Sequence, residues 1–193
     1  MPIRLIAGLG NPGREHERDR HNVGFWLVDR LARAEGASLR KDAKYHGLLA
    51  KLAGPHGDVW LVEPQTYMNL SGKAIGALAR FYKIAPEDVL VVHDELDFLP
   101  GVVKLKLAGG AGGHNGLKDT IAQLGGQNFW RLRLGIGHPG DRDLVADYVL
   151  SSPSPADRDA IEGAIDRALA IVPELLDGRM EIAMQKLHST PKA

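Results

Sequence analysis

The stretch "IRLIAGLGNPGREHERDRHNVGFWLVDRLARAE", residues 3–35, decides how the chain folds. Residues 3–8 form an apolar run of strand length, and Gly8, Gly10 and Gly13 spell a literal G-x-G-x-x-G at its end. A dinucleotide-binding fold needs a helix starting at the second glycine, its N-terminus on the pyrophosphate and an apolar face on the sheet. After Gly13 comes "REHERDRH", with no apolar side chain to dock. The amphipathic helix comes later, over 22–35, where Val23, Trp26, Leu27 and Leu31 recur at helical spacing and Gly36 supplies a stop. Asp29, at the distance of a ribose-binding carboxylate, falls inside that helix and not at the end of a second strand. The stretch therefore reads as strand, polar turn and helix, with no bound cofactor expected. "HERDRH" is one residue too long for H-E-x-x-H, so His16 and His21 leave a shared helical face and no metal is expected.

The same alternation continues outward. "YHGLLAKLAGPHGDVWLVEP" predicts a hairpin turning at "GPHGD", and "NLSGKAIGALARFYKI" predicts a helix with Asn69 as its N-cap. "DVLVVHDELD" is a buried-type strand running into acidic residues. "VVKLKL" and "WRLRLGIG" are alternating strands on either side of a glycine-rich loop and a short helix at 116–124. Residues 154–178 predict one long amphipathic helix, bent or ended at Pro173. The expectation is an α/β fold, a single domain over residues 1–193 with a mixed β-sheet flanked by helices on both faces.

With 193 residues the chain is long enough to bury a core without staples, and it contains no cysteine, which removes thiol catalysis and thiolate ligation. A reducing, cytoplasmic setting is expected. The first residues lack the apolar core of a signal peptide, and no run reaches membrane-spanning length. Lysine plus arginine equals aspartate plus glutamate at 24 each, so attraction to a nucleic acid has to come from a local basic patch.

Polar groups gather where elements end. Asn11 stands in the turn after the first strand, His21 at a helix start, Asp94 just past a strand, and His114 and Asn115 where the glycine loop enters a helix. Taken singly, Asn11 could merely shape its turn and His21 merely cap its helix. Together, a histidine, a carboxylate and several amides are the parts for hydrolysis by an activated water. No serine occupies a G-x-S-x-G elbow, so a serine nucleophile has no support.

In order along the chain, "GLGNPG", "RHNVGF", "TYMNLSG", "HDELD", "GGAGGHNGLKD" and "RLRLGIGHPG" closely resemble bacterial-type peptidyl-tRNA hydrolases. The resemblance implies metal-independent hydrolysis of the ester joining a peptide to the 3′ end of tRNA, by a monomer. It also implies roles. His21 would be the general base, oriented by Asp94, and Asn11 would help to select substrates whose amino group carries a peptide. Tyr67, Met68, Asn69 and Asn115 would hold the peptide end and the terminal nucleotide. An amide among these asparagines can also donate to the developing oxyanion, an interaction worth about 3–4 kcal/mol in the transition state. His93 reads as structural, while His114 reads equally as structural or substrate-binding.

Lys104 and Lys106 share one face of their strand, as Arg131 and Arg133 do of theirs, so the four could line one side of the site and take phosphates, with Lys118 as an addition. A solvated sheet face is the plain alternative. Two positions depart from the family pattern. His16 stands where a tyrosine is usual, still able to stack on a base, and Asp19 stands where a small hydroxyl residue is usual. Asp19, two residues from His21, is expected to raise the histidine pKa. A non-catalytic RNA-binding module would use the basic strands but have no use for His21 with Asp94.

Overall fold

The computed structural model describes residues 1–189. Seven strands, β1 (Leu5–Gly8), β2 (Arg40–Asp42), β3 (Gly47–Gly54), β4 (Gly57–Pro64), β5 (Val89–Glu95), β6 (Val103–Leu107) and β7 (Trp130–Gly135), form one sheet in the order β2-β3-β4-β1-β5-β7-β6. The middle pairs β4–β1, β1–β5 and β5–β7 are parallel, while β2–β3, β3–β4 and β6–β7 are antiparallel. The sheet is mixed, as expected, and the predicted hairpin is β3–β4.

Helices cover both faces. On one, α1 (Val23–Ala34), α5 (Pro155–Ala170), α6 (Val172–Leu176) and α7 (Met180–His188) bury Leu27, Leu31, Ile161, Ile165, Leu175 and Leu187 against Ile6, Leu90 and Leu132. On the other, α2 (Gly72–Phe81) and α3 (Asn115–Leu124) bury Ile75, Leu78 and Leu117 against Leu5, Ala7 and Val91. A short α4 (Val145–Val149) completes the set. The central strand β5 is buried along Val89–Asp94, which explains its unbroken apolar run.

Two expectations need correcting. The first strand starts at Leu5, two residues later than its apolar run. Asn69 does not cap a helix: it lies in a 3-10 turn, Met68–Leu70, and α2 starts at Gly72, whose N–H donates to Asp119 of α3 at 2.8 Å. The helical stretch expected over 154–178 does part around Pro173: it forms α5 and α6, with Pro173 in the first turn of α6, and Gly178, at φ 76°, turns the chain before α7.

The glycines of the opening motif serve close packing. A Cβ on Gly8 would lie 2.3 Å from the Gly24 carbonyl oxygen, and one on Gly24 would lie 2.4 Å from the Val92 carbonyl oxygen. The start of α1 therefore rests on the backbone of β1 and β5. That contact puts the 3-10 turn Arg20–Asn22, just before α1, beside the carboxyl end of β5.

Candidate active site

Asp94, near the end of β5, is reached from both layers. Its Oδ2 accepts from His21 Nδ1 at 2.8 Å, and its Oδ1 accepts from His114 Nε2 at 2.7 Å. The tautomers follow from the network. His114 is the N-cap of α3, its Nδ1 accepting from the N–H groups of Gly116 and Leu117 at 3.1 and 3.3 Å, so its hydrogen is on Nε2. With Nδ1–H of His21 directed at the carboxylate, Nε2 of His21 carries a free lone pair, as a general base requires. His114 is thus held against Asp94 and α3; its ring lies 5.1 Å from that of His21.

Burial alone would lower the His21 pKa, but the charge of Asp94, its hydrogen bond and the charge of Asp19 outweigh it and hold the pKa above its ordinary value. Burial likewise opposes ionisation of Asp94, and the two histidines overcome it, holding the carboxyl well below the usual range. His93 points to the opposite face of β5. It is fully buried, donates from Nδ1 to the Asp94 carbonyl at 2.8 Å, and is pushed down to about 3 by burial and by His114. It is a neutral packing histidine beneath the His114 ring, in line with the structural reading.

His21, Asp94 and His114 offer atoms within 4.8 Å of one another, close enough to test against a metal. A metal-bound imidazole directs its remaining N–H outward to an acceptor. The outward nitrogen of His114 instead faces two backbone donors, so metal on Nε2 would break the cap of α3. The donor set fits a hydrogen-bonded histidine–carboxylate centre and does not fit a metal.

The three asparagines meet around Met68. Asn11, 6% exposed, accepts with Oδ1 from the Met68 N–H at 2.7 Å. A Cβ on Gly116 would lie 2.6 Å from Met68 Sδ, so α3 and its first residue, Asn115, abut the Met68–Asn69 turn. Asn69 and Asn115 are exposed, and Tyr67 is 64% exposed beside them. Sequence reasoning passed over Asn22. Its side chain accepts from the Asn11 N–H and donates to the Asn11 carbonyl, both at 2.9 Å, clamping the turn that carries Asn11. The polar pair after Arg20 was its only signal.

The basic strands are neighbours, with Lys104 opposite Arg133 and Lys106 opposite Arg131 on one face, the face that also carries His93. Lys104, Lys106 and, on α3, Lys118 are exposed. Arg133 is partly covered, paired with Glu95 at 3.4 Å. Arg131 departs from expectation: it is 2% exposed and donates to the carbonyls of Gly110 and Gln127 at 2.7 and 3.2 Å, so it is not a phosphate contact. His16 is bound too, its Nδ1 2.7 Å from Asp19 Oδ2.

An α/β sheet with a histidine–carboxylate centre at its carboxyl edge and convergent amides beside it defines a hydrolase-type site, placed where open parallel sheets hold their ligands. The comparisons narrow the class. The family model described as peptidyl-tRNA hydrolase matches residues 5–193. The peptidyl-tRNA hydrolase of Leptothrix cholodnii is 58% identical over 189 residues, covering 98% of this chain and 89% of that protein. That of Neisseria gonorrhoeae is 54% identical over 187 residues, 97% of each chain. The crystal structure of peptidyl-tRNA hydrolase from Acinetobacter baumannii superposes with a TM-score of 0.95 at 46% identity, covering 99% of this chain and 97% of that one. The chain belongs to the peptidyl-tRNA hydrolase family.

Proposed function

We propose that the chain hydrolyses the ester between a peptide, or an N-blocked aminoacyl group, and the 3′ end of tRNA, returning the tRNA of stalled or dropped-off peptidyl-tRNA to use. The observation that carries this reading is the free lone pair on His21 Nε2, oriented by the Nδ1–H bond to Asp94 at 2.8 Å.

His21 Nε2 takes a proton from water as the water oxygen attacks the ester carbonyl. Asp94 stabilises the imidazolium that forms. Collapse of the tetrahedral intermediate breaks the bond to the ribose oxygen, which receives the proton from His21. The Asn11 amide, fixed by Asn22 and Met68, selects acylated amino groups and, with Asn69 and Asn115, holds the acyl end and the terminal nucleotide. Lys104, Lys106 and Lys118, joined by Arg133, take the acceptor-end phosphates, and His16 stacks on a base or donates a hydrogen bond to it. The enzyme acts without a metal, as a monomer in the cytoplasm.

The test is release of N-acetylated amino acid from tRNA in excess chelator, with unblocked aminoacyl-tRNA as the comparison. The wild type should cleave the blocked substrate preferentially. His21→Ala should bind it and lose on the order of 10²–10⁴-fold in turnover. A fully active His21→Ala protein would refute the mechanism, and binding without turnover by the wild type would favour an RNA-binding module.

A further inference from the structure

We propose that Arg131 is a positioning residue that sets the glycine loop, and through it His114 and Asn115, from inside the fold. The proposal deepens the hydrolase reading and rests on it.

The loop between β6 and α3 is an unusual piece of backbone. Ala108, Gly109, Gly112 and Gly113 all have positive φ, and a Cβ on Gly110, Gly112 or Gly113 would meet nothing within 4 Å. Those glycines face open space, so packing from outside does not define their place. The loop is held from beneath. The Ala108 N–H donates to the Phe129 carbonyl at 2.9 Å, and Arg131 Nη1 donates to the Gly110 carbonyl at 2.7 Å. The other arm of Arg131 reaches the Gln127 carbonyl, and its guanidinium lies 4.3 Å from the centre of the Phe129 ring. A planar fork joins two carbonyls on one rigid plane, which a lysine ammonium cannot reproduce.

Beyond Gly110 the loop delivers the site. The His114 N–H donates to the Ala111 carbonyl at 3.0 Å, and the ring then bridges the start of α3 and Asp94. A loop free to drift would carry His114 Nε2 away from Asp94 Oδ1 and Asn115 away from Met68. A misplacement near 1 Å is enough to cost on the order of 10²-fold in rate.

Arg131→Met and Arg131→Lys are compared with the wild type and Lys104→Ala. Turnover of N-acetyl-aminoacyl-tRNA is followed across a salt series, and the downfield imidazole N–H proton of His114 is recorded by NMR. Both Arg131 variants should lose turnover, the methionine form by roughly 10²-fold. KM and its salt dependence should stay near wild type, and the His114 proton should broaden or vanish. Lys104→Ala should lower the slope of log affinity against log salt by about 0.7–0.9, as loss of one phosphate contact does, with the His114 proton intact. The proposal fails if Arg131→Met lowers the salt slope as Lys104→Ala does, if its turnover is that of wild type, or if turnover falls while the His114 proton persists. Should Arg131→Met not fold, Arg131→Lys carries the same readouts with its charge retained. A wild type that does not cleave the substrate refutes the hydrolase reading instead, and the His114 proton still decides what Arg131 does.

Discussion

Asp19 and His16 touch each other: His16 Nδ1 lies 2.7 Å from Asp19 Oδ2, and Asp19 is 5% exposed. The two form one histidine–carboxylate pair. Its consequence falls on His21. After burial, which lowers the His21 pKa, and Asp94, which raises it, the charge of Asp19 raises it further. Taking that charge away lets the imidazole lose its proton at lower pH. In Asp19→Thr the acid limb of the kcat/KM profile should accordingly move to lower pH, with the wild-type limb above it. Coincident limbs in a pH–rate series on N-acetyl-aminoacyl-tRNA would overturn the assignment. That Asp19 bears on His21 was legible from their spacing alone. Its contact with His16 was not, because it depends on the 3-10 turn Arg14–His16, and irregular backbone leaves no periodic signal. Asn22 escaped for a related reason: its two bonds to the Asn11 backbone close a loop of the chain that only the folded turn defines.

Helix α1 is the element on which the chemistry hangs, since the 3-10 turn leading into it carries His21 and its seat on β1 and β5 sets the distance to Asp94. Gly8 and Gly24 make that seat a backbone-to-backbone contact. Gly24→Ala should push the helix outward, because the nearest obstacle to its methyl group is the Val92 carbonyl oxygen and not a flexible side chain. Overpacking of this kind costs typically about 1–3 kcal/mol. The expected result is a lower Tm together with a loss of turnover larger than the folded fraction explains, measured by thermal melting and by assay well below Tm. Unchanged turnover per folded molecule would show that the seat does not set the site. The motif glycines were visible in the sequence, where the missing helix after Gly13 turned their reading from phosphate cradle to polar turn; their close packing depends on contacts that only the fold makes. All the strands but the three-residue β2, together with the hairpin and the helices α1 and α3, were legible because each follows a local period. The start of α2 was not, because its cap, Asp119, comes from another helix, and a non-local hydrogen bond leaves no mark beside the residues it serves.

Across the whole molecule, seven strands sandwiched between two apolar clusters bury a few ionisable groups far from water, and these tie stability to pH. The strand order itself was beyond local pattern, since β1 lies between β4 and β5 through pairings that no periodicity encodes. Glu63, on β4, is a product of that order. It is 3% exposed, opposite Leu48 of the hairpin, and burial followed by its hydrogen bond with Asp29 of α1 pushes its pKa up to about 10. Folded Glu63 is thus a neutral acid whose hydrogen is shared with Asp29. In the unfolded chain the same group has its ordinary value of 4.5. Below that value both states hold the proton and pH has no effect through this residue. As pH rises from there toward about 10, the unfolded state has released a proton that the folded state keeps, so unfolding is increasingly favoured. Glutamine keeps the shape and a donor for Asp29 but has no proton to release. Glu63→Gln should therefore raise Tm relative to wild type by a margin that is small near pH 5 and larger near pH 9. Melting curves of both proteins across that range decide it: a margin that is constant with pH, or one that shrinks as pH rises, would mean that Glu63 is ionised in the folded protein and that the β4–α1 contact is not a shared proton.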